Sequence, residues 1–161
     1  MIKYIQRGDI FDSQCEAFIN PVNLMGVMGK GLALEFKEEF PSMCTEYRKL
    51  AVSGETKIGQ LHLHEVKNAK DPEFNGLLII NFPTKSSWKN PSKLEYIEMG
   101  MKSLIEMIKQ EEIKSVAIPG LGCGEGQLNW KDVQPIIEKY CNELPEVEFE
   151  VYEPKVKSWG K

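Results

Sequence analysis

The stretch Leu77 to Phe82 (LLIINF) constrains this chain more than any other. A strand with one wet face alternates apolar and polar residues. A continuous apolar run of this length reads instead as a strand covered on both faces. Val116 to Pro119 is a second such run, and each of the two is followed by a segment with apolar residues at steps of three and four. Buried strands alternating with amphipathic helices indicate an α/β fold, a mainly parallel sheet sandwiched between helices.

The remaining elements fit that plan. Ile2 to Gln6 and Glu16 to Asn20 read as strands, the second ended by Pro21, and Gln60 to Val66 alternates as a half-buried strand. Gly29 to Phe40 reads as a helix, and Pro41 starts another that Gly54 closes. Asn68 to Gly76 is a polar loop, and Thr84 to Pro91 an exposed one. Ser92 and Glu95 match a capping box ahead of the stripe Leu94, Ile97, Met101, Leu104, Ile105 and Ile108. Asn129 is placed to cap a last helix with the stripe Trp130, Val133, Ile136, Ile137 and Tyr140. Val147 to Tyr152 is the final strand. Residues 1–154 are expected to form one domain, with 155–161 a fraying, lysine-bearing tail.

Two glycine-rich loops interrupt this scaffold. Gly120 to Trp130 (GLGCGEGQLNW) links a strand to a helix, and glycines at Gly122, Gly124 and Gly126 let backbone N–H groups approach a ligand such as phosphate. Gly26 to Gly31 (GVMGKG) is the second. Both also read as plain tight turns, which glycine equally permits. In open α/β sheets ligands bind beyond the carboxyl ends of the strands. Asn20 to Asn23, Thr84 with Lys85, and Gly122 to Gly124 all fall there, so three separate stretches converge on one crevice.

Known nucleotide fingerprints do not fit. The glycine spacing in Gly122 to Gly126 departs from that of dinucleotide-binding turns, and Gly26 to Gly31 lacks the Gly-Lys-Ser/Thr of a P-loop. A net charge of −4 argues against a broad grip on nucleic acid and leaves room for one local patch, around Lys85, Lys89 and Lys93. The N-terminus has no signal-peptide core and no run approaches a membrane span, so a cytoplasmic location is expected. Cys15, Cys44, Cys123 and Cys141 are scattered and expected to be free thiols. His62 and His64 share a strand face but have no third ligand nearby in sequence, so no metal site is expected.

Taken in order, Gly8-Asp9-Ile10, Ile19 to Asn23 (INPVN), Gly26 to Lys37 (GVMGKGLALEFK) and Pro119 to Gly124 (PGLGCG) resemble the macrodomain family, which binds ADP-ribose. The likeness runs through nearly the whole chain. It implies a three-layer α/β/α sandwich with a mixed, mainly parallel central sheet. GVMGKGLALEFK together with NFPTKSSWKNPSKLEYI looks most like the DarG-like branch, DNA ADP-ribosyl glycohydrolase antitoxins that remove ADP-ribose from thymidine in single-stranded DNA.

By that resemblance Asp9 accepts the adenine amino group, beside Gly8 and the Ile10 N–H, with Tyr152 at the border of the adenine. Gly122, Cys123, Gly124, Glu125, Gly126, Gln127 and Leu128 wrap the diphosphate, with Pro119 and Leu121 as further ligand-binding residues. Asn23, Gly26, Val27, Met28, Gly29, Lys30 and Gly31 surround the distal ribose, and Asn20, Thr84 and Trp88 are further ligand-binding residues. Lys85 holds the position of the family's reacting lysine and acts with Asn23 at C1 of that ribose, by attack or by electrostatic assistance. An attacking amine must be unprotonated, so its pKa must fall through burial or cationic neighbours, here Lys30 and Lys89. Where related protein hydrolases carry an aspartate, this chain has Gly126, preceded by Glu125. Cys123 is a second candidate nucleophile if the following helix N-terminus lowers its pKa.

The resemblance implies no cofactor beyond the ligand ADP-ribose, and a DarT-like toxin as partner. Two alternatives stay open: the same chemistry on protein Glu/Asp or on O-acetyl-ADP-ribose, and a reader that binds ADP-ribose without turnover. A pure reader would not need Lys85 and Asn23.

Overall fold

The computed structural model describes residues 1–159, leaving the last two residues of the expected tail outside the described part. Six strands form one sheet: β1 (Ile2–Ile5), β2 (Ala17–Asn23), β3 (His62–Glu65), β4 (Leu78–Lys85), β5 (Ser115–Ile118) and β6 (Glu148–Tyr152), in the order β1-β6-β5-β2-β4-β3. Neighbours run parallel except β3, which is antiparallel to β4 at one edge. Four helices cover the sheet: α1 (Gly31–Glu39), α2 (Pro41–Val52), α3 (Leu94–Glu111) and α4 (Trp130–Cys141).

Both faces of the sheet are dry, which is why β4 carries an unbroken apolar run. Ile80 and Phe82 pack with Ile97, Met101 and Leu104 of α3 and with Val133 and Ile137 of α4. Ile79, one residue away and pointing oppositely, packs with Phe36, Met43 and Tyr47 from α1 and α2. The three-layer α/β/α sandwich with a mixed sheet is thereby realised. Gly100 marks the closest approach, since a Cβ there would come within 2.2 Å of the Phe82 ring. Among the described residues no helix is long and apolar enough to cross a membrane.

Several sequence expectations fail for identifiable reasons. Pro21 does not end β2, which continues to Asn23. β5 pairs with β2 only at Ala17 and Phe18, so a residue without an N–H is tolerated further along. β4 likewise contains Pro83, past the last residue it pairs with β3. Thr84 and Lys85 belong to β4 and are buried, so the loop expected to begin at Thr84 starts only after them. The first helix starts at Gly31, two residues late.

Ser92 and Glu95 form no capping box. The N-cap of α3 is Lys93, without a side-chain bond, and Leu94 lies out of the stripe at 39% exposure. The Ser92 hydroxyl is taken by the Thr84 carbonyl instead. Asn129 is the N-cap of α4 by position, but its side chain accepts from the Trp159 N–H. Within the expected tail, the Lys157 carbonyl accepts from Trp130 N–H at 2.9 Å.

Candidate active site

The crevice is built from the carboxyl ends of β2, β4 and β5. Past Val22 the β2–β4 ladder slips by one residue, skipping Thr84 and pairing Asn23 with Lys85. Asn23, buried, spends its amide on local structure. Its Oδ1 accepts from the Met25 and Val27 N–H groups, and its Nδ2 donates to the Val27 carbonyl at 2.9 Å. These bonds shape the turn in which Gly26 takes φ +72. Tyr47 of α2 donates its hydroxyl to the Asn23 carbonyl at 2.9 Å, fixing the strand end from below.

Lys85 is 8% exposed, and its ammonium donates to the Trp88 carbonyl at 3.1 Å. Its pKa is lowered from the usual lysine value, first by burial. Glu125 opposes that shift and Lys30 adds to it. The sequence expectation of cationic repulsion therefore holds for Lys30. Lys89 lies instead over the Trp88 ring, 5.6 Å from its centroid. Trp88 is half exposed, on the loop beside Lys85.

The two glycine loops meet. A Cβ on Gly31 would stand 3.9 Å from Glu125 Cγ, so the Gly26–Gly31 turn and the Gly120–Leu128 loop face each other next to Lys85. Within the second loop, Cys123 N–H donates to the Gly120 carbonyl, Gln127 N–H to Gly124 and Leu128 N–H to Gly122. The N–H groups of Gly122, Gly124, Glu125 and Gly126 have no such partner among the described hydrogen bonds. Adjacent unpaired N–H groups in one turn make an anion-binding cradle. Gly122 sits at φ +73, which an L side chain rarely adopts. Gly126 is buried, and a Cβ there would come within 2.5 Å of the Gly122 carbonyl oxygen. The loop has no room for a longer side chain at Gly126.

Pro119, Leu121 and Cys123 contribute backbone only, because their side chains are buried. Burial pushes the Cys123 thiol up to about 12, and Asp132 adds to the rise. That is opposite to the expected lowering: the side chain points into the core, and α4 starts only at Trp130. Gln127, Leu128 and Glu125 lie at the loop surface, partly or fully exposed.

At the far end, Asp9 caps a short 3-10 turn, its Oδ1 accepting from the Phe11 N–H at 2.9 Å. Gly8 lets Ile5 and Tyr152 approach, and Tyr152 is buried with its hydroxyl donating to Glu150 at 3.0 Å. Ile10 is buried; Val27, Gly29 and Lys30 line the turn beyond Asn23 at higher exposure. Asn20 and Met28 are buried. Asn20 Nδ2 donates to Asn81 Oδ1 at 2.9 Å and approaches Met28 Sδ, while its own Oδ1 is buried without a partner. The polar row continues across the sheet from Asn81 to His62 at 3.0 Å and from His62 to Glu46 at 2.6 Å. His64 reaches the same carboxylate at 3.2 Å, so the histidine pair encloses a glutamate from α2. The four cysteines are free thiols.

Sequence reasoning missed Tyr47 and Ser92. Ser92 ties the two sides of the crevice together, its hydroxyl on Thr84 and its N–H donating to the Gly126 carbonyl at 2.9 Å. No sequence signal separates that role from a helix cap. A groove of about 470 Å³ lined by Lys37, Cys44, Arg48 and Val52 lies on α1 and α2, and its Arg48 packs against Gly26.

Residues 19–137 match the family described as Macro domain. A relative from Mycobacterium tuberculosis named "DNA ADP-ribosyl glycohydrolase" is 43% identical over 96% of this chain. The match spans 42% of that relative's length, so this chain corresponds to about two fifths of it. The solved macrodomain of Mycobacterium tuberculosis DarG superposes with a TM-score of 0.89 at 42% identity, covering 96% of this chain and 99% of that one. Thermosipho africanus DarTG, solved in complex with ADP-ribose, gives 0.88 at 35% identity over 99% of this chain and 43% of its own.

Proposed function

The chain belongs to the macrodomain family, and from that premise we propose that it binds ADP-ribose and hydrolyses the bond joining it to thymidine in single-stranded DNA. The activity is that of the relatives' printed name, and a DarT-like toxin that installs the modification is the proposed partner. The observation carrying the reading is a buried lysine at the crevice, Lys85, paired across the ladder with Asn23.

In the proposed arrangement the free N–H groups of Gly122, Gly124, Glu125 and Gly126 hold the diphosphate, and the Gly26–Gly31 turn holds the distal ribose. Asp9 and the buried wall around Gly8 and Tyr152 receive the adenine. The unprotonated Lys85 amine attacks C1 of the distal ribose. A nitrogen–carbon bond forms as the C1–base bond breaks, and the base leaves with a proton. The ribose ring opens to a Schiff base, water adds to it, and the amine departs to regenerate Lys85. Glu125 is the carboxylate near enough to Lys85 to influence its charge and is assigned the proton transfers. In an electrostatic variant of the step, Lys85 stays charged and assists departure of the base without bonding to C1.

Incubation with a thymidine-ADP-ribosylated oligonucleotide and, separately, with a glutamate-ADP-ribosylated protein tests the reading. Release from the oligonucleotide alone supports it. Release from the protein alone transfers the activity to acidic side chains, and tight ADP-ribose binding with no release from either, or from O-acetyl-ADP-ribose, makes the domain a reader.

A further inference from the structure

The segment after β6 crosses the diphosphate loop and touches it at its start, middle and end. Pro154 lies against Gly120, where a Cβ would come within 2.8 Å of the proline ring. Trp159 donates its indole N–H to the Cys123 carbonyl at 2.6 Å and its backbone N–H to the Asn129 side chain. The Lys157 carbonyl accepts from Trp130 N–H at 2.9 Å, and the Lys157 ammonium is tied back to Glu153 at 2.7 Å.

The middle contact falls where the loop is otherwise least held. The Gly120, Gly122, Gly124 and Gly126 carbonyls each accept an N–H from elsewhere in the loop or from Ser92. Gly124 is exposed, and a Cβ there would meet nothing within 4 Å, so packing does not fix the Gly124 side of the Cys123–Gly124 peptide. A trans peptide is planar, with its carbonyl and its N–H pointing in opposite directions. A donor gripping the Cys123 carbonyl therefore aims the Gly124 N–H away from the strap, and that N–H is one of the unpaired donors of the cradle.

We propose that Trp159 is a positioning residue for anion binding: by holding the Cys123 carbonyl it presets the Gly124 N–H toward the diphosphate. This rests on ADP-ribose being the ligand of the loop. A donor fixed before binding spares the ligand the cost of ordering it. The strap makes the affinity of the loop depend on an aromatic residue outside every glycine motif in the chain.

Trp159→Phe keeps the ring and removes the donor, at a position 37% exposed. The affinity for ADP-ribose is expected to fall about 3- to 10-fold, the net worth of one hydrogen bond. The affinity for adenosine, which has no diphosphate, is expected to stay unchanged, and the Gly124 amide resonance of the free protein to shift. Equal weakening toward adenosine overturns the proposal, because it marks general loosening; so does an unchanged ADP-ribose affinity. Wild-type protein that binds no ADP-ribose overturns the ligand assignment first. A measurement on the wild type stands apart from any folding defect: inorganic pyrophosphate should move the Gly124 amide and the Trp159 indole resonances together. Movement of Gly124 with a stationary indole overturns the coupling.

Discussion

Asn23 and Lys85 stand opposite each other at the ends of β2 and β4 because the ladder between them skips Thr84. A one-residue slip reverses which way the following side chains point. An uninterrupted register would pair Asn23 with Thr84 instead of with the lysine. The pairing thus results from a local irregularity in an otherwise regular parallel sheet.

Replacing Lys85 with Ala should cut release of ADP-ribose by about two orders of magnitude or more, the scale of a lost catalytic group, while ADP-ribose still binds. Calorimetry beside a turnover assay measures both. In the covalent step proposed above Lys85 attacks as the free amine, and burial lowers its pKa, so the rate should rise with pH and level off below the ordinary lysine range near 10.5. Borohydride trapping, read as a mass gain on Lys85, separates the covalent step from electrostatic assistance. Lys85→Arg, permanently charged, should stay inactive if the step is covalent and retain part of the rate if it is electrostatic.

Installing an acid at Gly126 should not create a better hydrolase. Gly126→Asp drives a Cβ to within 2.5 Å of the Gly122 carbonyl and 2.9 Å of Ser92 Cβ, so the cradle must rebuild. The expected result is at least a tenfold loss of ADP-ribose affinity in a titration. An intact affinity with faster turnover would contradict the loop geometry.

Gly100→Ala tests how tightly α3 seats on β4. The added methyl meets the Phe82 ring at 2.2 Å, and overpacking of this kind costs roughly 1–3 kcal/mol. Urea unfolding should show that loss, with little change in the slope of the transition.

His62 makes stability depend on pH. Its Nδ1 faces the Asn81 amide and its Nε2 faces Glu46, an arrangement that suits the neutral ring with its proton on Nε2. Burial lowers its pKa below 6.5; His64 adds to that, and Glu46 opposes it. The unfolded chain therefore binds the proton more readily, and stability should fall as pH drops below 6.5 toward the folded pKa. Urea midpoints at pH 7.5 and 5.5 should differ more for the wild type than for His62→Gln. Equal differences would remove His62 from the account.

Much of this was legible in the sequence because it rests on solvent exclusion. LLIINF announced a strand dry on both sides, and the stripes of α3 and α4 announced the helices that dry it. What sequence could not show was which partner a polar group would choose. Ser92 and Glu95 fit the capping spacing, but the hydroxyl goes to Thr84, a contact set by tertiary folding. Cys123 sits in a glycine loop ahead of a helix, yet its thiol turns inward, so burial reverses the expected pKa shift. Lys155 and Lys157 made the tail look solvated, while Trp159 finds a carbonyl in the loop.

Pro21 and Pro83 have a consequence for what can dock at the crevice. They lie where β2 and β4 run on past their paired residues in β5 and β3, at outer margins without a ladder partner. Such margins invite an extended peptide to add on as a further strand, and a residue without an N–H interrupts the ladder it would need. Two prolines near Lys85 thus discourage strand addition and leave that end of the sheet to a ligand that brings its own acceptors.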